Sequence, residues 1–112
     1  PQDHLKYMVE QYRLRRDYVM RRISEIPGLS CHAPAGTFYA FIDISQLGMP
    51  CEEFAMKLLE ERQVVVVPGT AFGEFGEGYI RLSYATSMQC LEQGLQELEE
   101  FVRSHETEGD PA

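Results

Sequence analysis

Three stretches of this 112-residue chain repeat apolar residues at helical spacing, and short runs of branched and aromatic residues lie between them. Such stripes indicate amphipathic helices, each of which must bury its apolar face against another layer. The strand-like runs cover residues 37–44, 64–67 and 79–85. Helices and strands that each carry one apolar face predict an α+β fold, a two-layer sandwich with helices packed on one face of a small mixed sheet.

The ends of these elements are marked by residues that start or stop helices. The spacing predicts helices over 3–25, 50–63 and 86–104, with Pro27 and Gly28 ending the first and Pro50 opening the second. Thr86 and Gln89 resemble a capping box at the start of the third. Without repeats or internal linkers, we predict one domain over 1–104, followed by a flexible acidic tail over 105–112.

Charge and cysteine content exclude several classes of partner. The net charge of −8 is uneven, with +2 over residues 1–42 and −10 over residues 43–112. An acidic chain is a poor match for nucleic acid, and no apolar run approaches the roughly 20 residues that span a bilayer.

Three widely spaced cysteines, of which only Cys31 adjoins a histidine, predict reduced thiols, no metal site and a cytoplasmic location. We also expect no signal segment, because the first residues carry no basic-then-apolar pattern.

Arg81 interrupts an otherwise apolar strand-like run and follows a glycine-rich loop over residues 68–78. A guanidinium stays charged at any ordinary pH and therefore needs water, a carboxylate or another anion. Two interpretations remain open, namely a bound ligand carboxylate and an ion pair with a surface glutamate. Strand alternation puts Tyr79, Arg81 and Ser83 on one face, and the opposite face is expected to be the core.

Other residues near this loop also allow two interpretations. Phe72 and Phe75 could form a lid over a ligand or could fix the loop to the sheet. Glu74 and Glu77 are expected to be solvated, because nothing apolar around them in the sequence would raise the pKa of either carboxyl.

Several motifs occur in a familiar order: YRLRRDY at 12–18, PGLSC at 27–31, PAGTFY at 34–39, VVVPGTAFG at 65–73 and GYIRLSYA at 78–85. Over residues 4–104 the chain resembles the C-terminal small domain of a class I/II aminotransferase that depends on pyridoxal phosphate, nearest to the aspartate aminotransferase type. The resemblance implies that Arg81 binds the α-carboxylate of the substrate. It also makes Gly36, Tyr39 and Phe72 candidate substrate contacts.

The resemblance also implies what this chain lacks. In the family, a large domain holds the cofactor on a lysine in a Ser-Lys motif. Neither Lys6 nor Lys57 stands in such a motif, so we expect no catalytic or cofactor-binding residue here and no activity from this chain alone. The expected partners are amino-acid and 2-oxo-acid substrates, the large domain, and a second copy of the parent enzyme as a homodimer.

Three alternatives fit the same residues. The chain could be a free-standing domain that binds or senses an amino acid, or an interaction module that docks through its arginine-rich first helix. It could also belong to a pyridoxal-phosphate-dependent lyase or synthase, because a scaffold alone does not fix the reaction.

Overall fold

A computed structural model of the chain describes residues 2–32 and 38–108. Three α-helices, α1 (Gln2–Ser24), α2 (Cys51–Arg62) and α3 (Met88–Glu108), accompany four short strands, β1 (Ser30–His32), β2 (Tyr39–Asp43), β3 (Val67–Pro68) and β4 (Tyr79–Ser83). The loop between β3 and β4 contains two 3-10 turns, Gly69–Phe72 and Glu74–Gly76. None of the helices in these ranges combines the length and apolarity needed to cross a membrane.

The sheet has the order β1-β2-β4-β3, and all of its described pairings are antiparallel. The prediction of an α+β sandwich is confirmed, but the prediction of a mixed sheet is wrong. Helix α2 connects β2 to β3. These two strands run in the same direction, as strands joined by a helix usually do. Strand β4 then inserts between them, so neighbouring strands never run parallel.

One face of the sheet and the three helices together form the core. Strand β4 alternates as predicted, with Ile80 and Leu82 buried between the more exposed Tyr79, Arg81 and Ser83. In the described part of the chain, the helices contribute ten buried core side chains, namely Val19, Ile23, Cys51, Phe54, Leu58, Leu91, Leu95, Leu98, Phe101 and Val102. Helices therefore cover one face of the sheet, and Arg81 projects from the other.

Helix α1 packs on this core mainly through its C-terminal half, and Tyr12 is the first of its residues to pack against the core. Val19 and Ile23 are fully buried, whereas Leu5 and Val9 are 62% and 57% exposed. The apolar stripe predicted for α1 thus continues beyond the part that the sheet and α3 cover. The uncovered part, residues 5–9, forms an apolar surface that has no partner among the described residues.

Three local predictions need correction. The valine run at 64–67 is predicted to be a strand, yet only its last residue is in β3, and Val65, which precedes the strand, is 70% exposed. The start of α3 is capped by Ser87, whose Oγ accepts the N–H of Cys90 at 3.1 Å, and not by Thr86. Helix α3 also continues to Glu108, four residues beyond the predicted end.

An ion network joins α1 to α3. The Glu99 carboxylate accepts hydrogen bonds from Arg22 and Arg103, each at 2.9 Å. These bonds, first that from Arg22 and then that from Arg103, lower the pKa of Glu99. A lowered pKa stabilises the folded state fully above the ordinary carboxyl pKa of about 4.3. This contribution to stability is lost as the pH falls from there through the lower pKa of the folded state.

We therefore expect Glu99→Gln to lower the free energy of unfolding by about 1 kcal/mol at pH 7. The difference from the unmodified chain should shrink below the ordinary carboxyl pKa of about 4.3, because the unfolded chain binds a proton there more readily than the folded chain does. Urea unfolding at a series of pH values measures both effects. Glu92→Gln, an exposed change on the same helix, is the matched control. If Glu99→Gln lowered the free energy of unfolding equally at pH 7 and at pH 3, the stabilising role assigned to the Glu99 carboxylate would be contradicted.

Candidate functional site

The Arg81 guanidinium lies between two aromatic rings on the open face of the sheet. Its central carbon is 4.6 Å from the ring centroid of Tyr39 and 4.4 Å from that of Phe72. Strand β2 supplies Tyr39, and the loop between β3 and β4 supplies Phe72. Both distances are within cation–π range. The sheet and the loop therefore hold one charged group from two sides.

No described residue provides an anion for Arg81. Arg22, Arg62 and Arg103 each bind a glutamate carboxylate within 3.1 Å. Among the side chains that the structure describes, which do not include that of Glu74, Arg81 has no ion pair or side-chain hydrogen bond. The surface glutamate that the sequence left open as its partner is thus not found in the described part of the chain.

An aromatic pocket lies beside Arg81. Phe41 pairs with Arg81 across the sheet. Its ring makes edge-to-face contacts with the rings of Tyr39 and Phe72, with centroids 5.7 Å and 6.3 Å apart. A cavity of about 340 Å³ opens here, lined by His32, Phe41, Gly69, Phe72, Gly76 and Tyr79. Its walls are mainly apolar. Arg81 does not line it but contacts one lining residue, Phe72, so the guanidinium lies next to the cavity.

A larger cavity, of about 590 Å³, lies between α2, the end of β4 and the start of α3. Cys90 and Leu91 line it, whereas Phe72, one of the two rings that contact Arg81, lines only the smaller cavity. The Arg62 guanidinium at its wall already binds Glu97 and Glu100. We therefore place the candidate site at Arg81, where the guanidinium has no such partner among the described residues.

The glycine loop is closed by an unusually near approach of two backbone segments. A Cβ atom on Gly69 would lie 2.0 Å from the carbonyl oxygen of Gly76, and one on Gly76 would lie 1.9 Å from that of Gly69. Only glycine leaves room for this crossing. The close approach of Gly69 and Gly76 fixes the backbone conformation of the segment between them, which places Phe72 over the sheet.

Glu77 has a structural role that the sequence did not reveal. Its carboxylate accepts the backbone N–H of Cys51 at 3.0 Å and that of Gly78 at 2.9 Å. Hydrogen bonding by Cys51 and then by Gly78 lowers the pKa of Glu77. Glu77 is exposed and its pKa is not raised, as expected, but its carboxylate also joins the loop to the start of α2. The available signal was Pro50, which precedes α2 but has no side chain able to cap it.

The structure brings together three of the four predicted substrate contacts, namely Arg81, Tyr39 and Phe72. Gly36 lies outside the described residues. Phe72 contacts the sheet through Phe41 and Arg81, which fits its interpretation as a residue that fixes the loop. Phe75 is 91% exposed and shares none of these ring contacts.

The two lysines of the chain lie on helices α1 and α2. Lys6 is exposed on α1, and the Lys57 ammonium binds Glu53 at 3.2 Å on α2, one of the helices behind the sheet. Neither helix lies on the face from which Arg81 projects. The described residues also include no cluster of three or more histidines, cysteines or carboxylates that could hold a metal ion.

The three cysteines are unpaired, with Cys51 buried, Cys31 half-buried and Cys90 exposed. Burial raises the pKa of the Cys31 thiol to about 11, so at neutral pH it is protonated and a poor nucleophile.

Comparison with known proteins identifies the class. Residues 1–98 match the family described as aminotransferase class I and II, and the chain belongs to this family. An aspartate aminotransferase of Pyrococcus horikoshii is 46% identical over 95 residues, which are 85% of this chain and 24% of that protein.

Solved structures agree with this assignment. An aromatic aminotransferase from Pyrococcus horikoshii superposes with a TM-score of 0.88 at 37% identity, over 94% of this chain and 28% of its own. An alanine aminotransferase from Pyrococcus furiosus gives 0.87 at 35% identity, over 93% and 27%. The chain thus spans about a quarter of the length of the relatives that it matches.

Proposed function

We propose that this chain is the small domain of a longer pyridoxal-phosphate-dependent aminotransferase, in which Arg81 binds the α-carboxylate of the amino-acid substrate. The observation that carries the proposal is a half-buried guanidinium, held between two rings, for which the described residues provide no anion. A planar fork of N–H donors matches the two oxygens of a carboxylate.

The rings improve this arrangement in two ways. Tyr39 and Phe72 cover parts of the guanidinium surface, so a carboxylate that reaches the free N–H groups meets a charge that is partly shielded from water. Electrostatic attraction strengthens when water is excluded. Contact with two rings also limits the rotamers of a long side chain, which reduces the entropy lost when the ligand binds.

The uncovered apolar surface of α1, residues 5–9, fits contact with the rest of the proposed enzyme. Exposed apolar patches commonly mark interfaces, and the relatives contain about three times as much further chain. We propose that the missing large domain covers this surface and that the small domain closes over the substrate, excluding water. A homodimeric parent in the cytoplasm is part of the same proposal.

Pyridoxal phosphate would be held by residues outside this chain, because the positions of Lys6 and Lys57 do not suit it. The chain alone is therefore proposed to be inactive. Its contribution to the reaction is to bind and orient one end of the substrate, which lowers the entropic part of the barrier.

The amino donor is open within this proposal. The matched proteins are named for aspartate, aromatic amino acids and alanine. All of these donors and their 2-oxo-acid products share the carboxylate that Arg81 is proposed to bind. The side-chain preference would then depend on groups outside this chain.

The proposal is tested by expressing the longer protein whose sequence includes this chain. We expect it to bind pyridoxal phosphate with a visible absorbance band and to transfer amino groups from at least one of L-aspartate, L-alanine and L-phenylalanine to 2-oxoglutarate. The 112-residue chain should give neither the band nor the activity. A longer protein without transaminase activity, or an active 112-residue chain, would refute the proposal.

A further inference from the structure

We propose that Glu77 is a positioning residue for Arg81, acting through Phe72 by fastening the loop at residues 69–78 to the first turn of α2. This inference rests on the proposed function, since the guanidinium that it positions is the proposed carboxylate ligand. It assigns a role to a loop carboxylate that never touches the substrate.

The first step is the contact between Glu77 and α2. Helices begin with backbone N–H groups that lack intrahelical partners, and a polar side chain usually accepts one of them. Pro50 precedes α2 and cannot do so. The Glu77 carboxylate does it instead, from 26 residues along the chain, and its negative charge suits the positive end of the helix dipole.

A second contact fastens the other end of the same loop. The Thr70 hydroxyl donates to the Glu52 carboxylate of α2 at 2.9 Å. The crossing of Gly69 and Gly76 closes the loop between the two contacts. Both ends of the segment are thus held against one helix, which itself packs on the core through Phe54 and Leu58.

The loop in turn carries Phe72, and Phe72 is one of the two rings against Arg81. Its ring is half exposed, and its described ring contacts are with Arg81 and Phe41. Because core packing does not hold this ring, its place over the sheet depends on the path of the loop. Releasing the loop from α2 should therefore free one side of the guanidinium while leaving Tyr39 and the strand in place.

The test uses the full-length aminotransferase, with L-aspartate or L-phenylalanine as donor, whichever it transaminates faster. Glu77→Gln removes the charge that binds two N–H groups. We expect the KM for the donor to rise about five- to tenfold with kcat changed less than about twofold, the pattern of lost binding in both ground and transition states. Glu60→Gln, an exposed carboxyl on α2 with no contact to the loop, is the matched control.

A double-mutant cycle separates positioning through Phe72 from a general loss of structure. In a Phe72→Leu background, Glu77→Gln should raise KM less than about twofold further, because the ring through which it acts is gone. An undiminished effect in that background would overturn the inference. Thr70→Val, which removes only the second contact, serves if Glu77→Gln fails to fold, and it should raise KM about two- to threefold.

Nuclear magnetic resonance of the 112-residue chain gives a readout independent of activity. Ring currents from Tyr39 and Phe72 should shift the side-chain protons of Arg81, and Glu77→Gln should move them toward ordinary arginine values. Unchanged Arg81 shifts, or an unchanged KM, refute the role of Glu77. The proposed function fails separately, if Arg81→Lys leaves donor binding intact.

Discussion

Replacing Arg81 with lysine in the full-length enzyme should weaken binding of the amino donor by about ten- to a hundredfold. A lysine retains the positive charge but loses the planar pair of donors that matches a carboxylate. Each charged hydrogen bond lost costs about 1.5–3 kcal/mol. A single ammonium group also stacks less well between the rings of Tyr39 and Phe72. Steady-state kinetics with the best donor would measure this as a rise in KM.

Arg21→Lys is the matched control for this change. Arg21 lies on α1, with its guanidinium 5.4 Å from the Tyr18 ring centroid, so the substitution removes a comparable cation–π contact away from the site. It should leave KM within about twofold of the unmodified enzyme. If both substitutions raised KM equally, the effect of Arg81→Lys could not be assigned to the carboxylate.

Gly69→Ala should lower the free energy of unfolding by about 3 kcal/mol or more. The added methyl group would meet the carbonyl oxygens of Gly76 at 2.0 Å and of Tyr79 at 2.8 Å, and both are backbone atoms that cannot rotate away. The loop must then open, which also displaces Phe72. Urea denaturation of the 112-residue chain followed by circular dichroism measures this loss.

The opposite result is expected for the same substitution in α3. Gly94 has open space where a Cβ would lie and stands inside a helix. Gly94→Ala should therefore raise the free energy of unfolding by about 0.5–1 kcal/mol. If Gly69→Ala were as well tolerated as Gly94→Ala, the close crossing of the loop could not be as described.

Much of the architecture was predictable because it depends on local periodicity. The helical stripes of α2 and α3 and the alternation of β4 each follow from apolar spacing within one element. The insertion of β4 between β2 and β3 was not predictable in this way. Strand order depends on contacts between distant segments. A run of valines has the same sequence pattern in an edge strand and in a central strand, so it does not indicate the position of the strand in the sheet.

The main residue of the site, Arg81, was predictable from the sequence, but the residues that hold it in place were not. Arg81 stood out because a lasting charge in an apolar strand needs an explanation. Glu77 did not, because its partner Cys51 is 26 residues away, and Pro50 shows only that α2 lacks its own capping side chain, not which residue replaces it. Phe72 had two equal interpretations, and only the ring distances to Arg81 and Phe41 place it against the sheet.

The most direct measurement is a crystal structure of the full-length enzyme with a bound amino acid. We predict that two nitrogens of the Arg81 guanidinium each lie about 2.7–2.9 Å from an oxygen of the ligand carboxylate. Tyr39 and Phe72 should still flank the guanidinium. A ligand carboxylate bound by other residues, with Arg81 turned away from it, would contradict the role proposed for this chain.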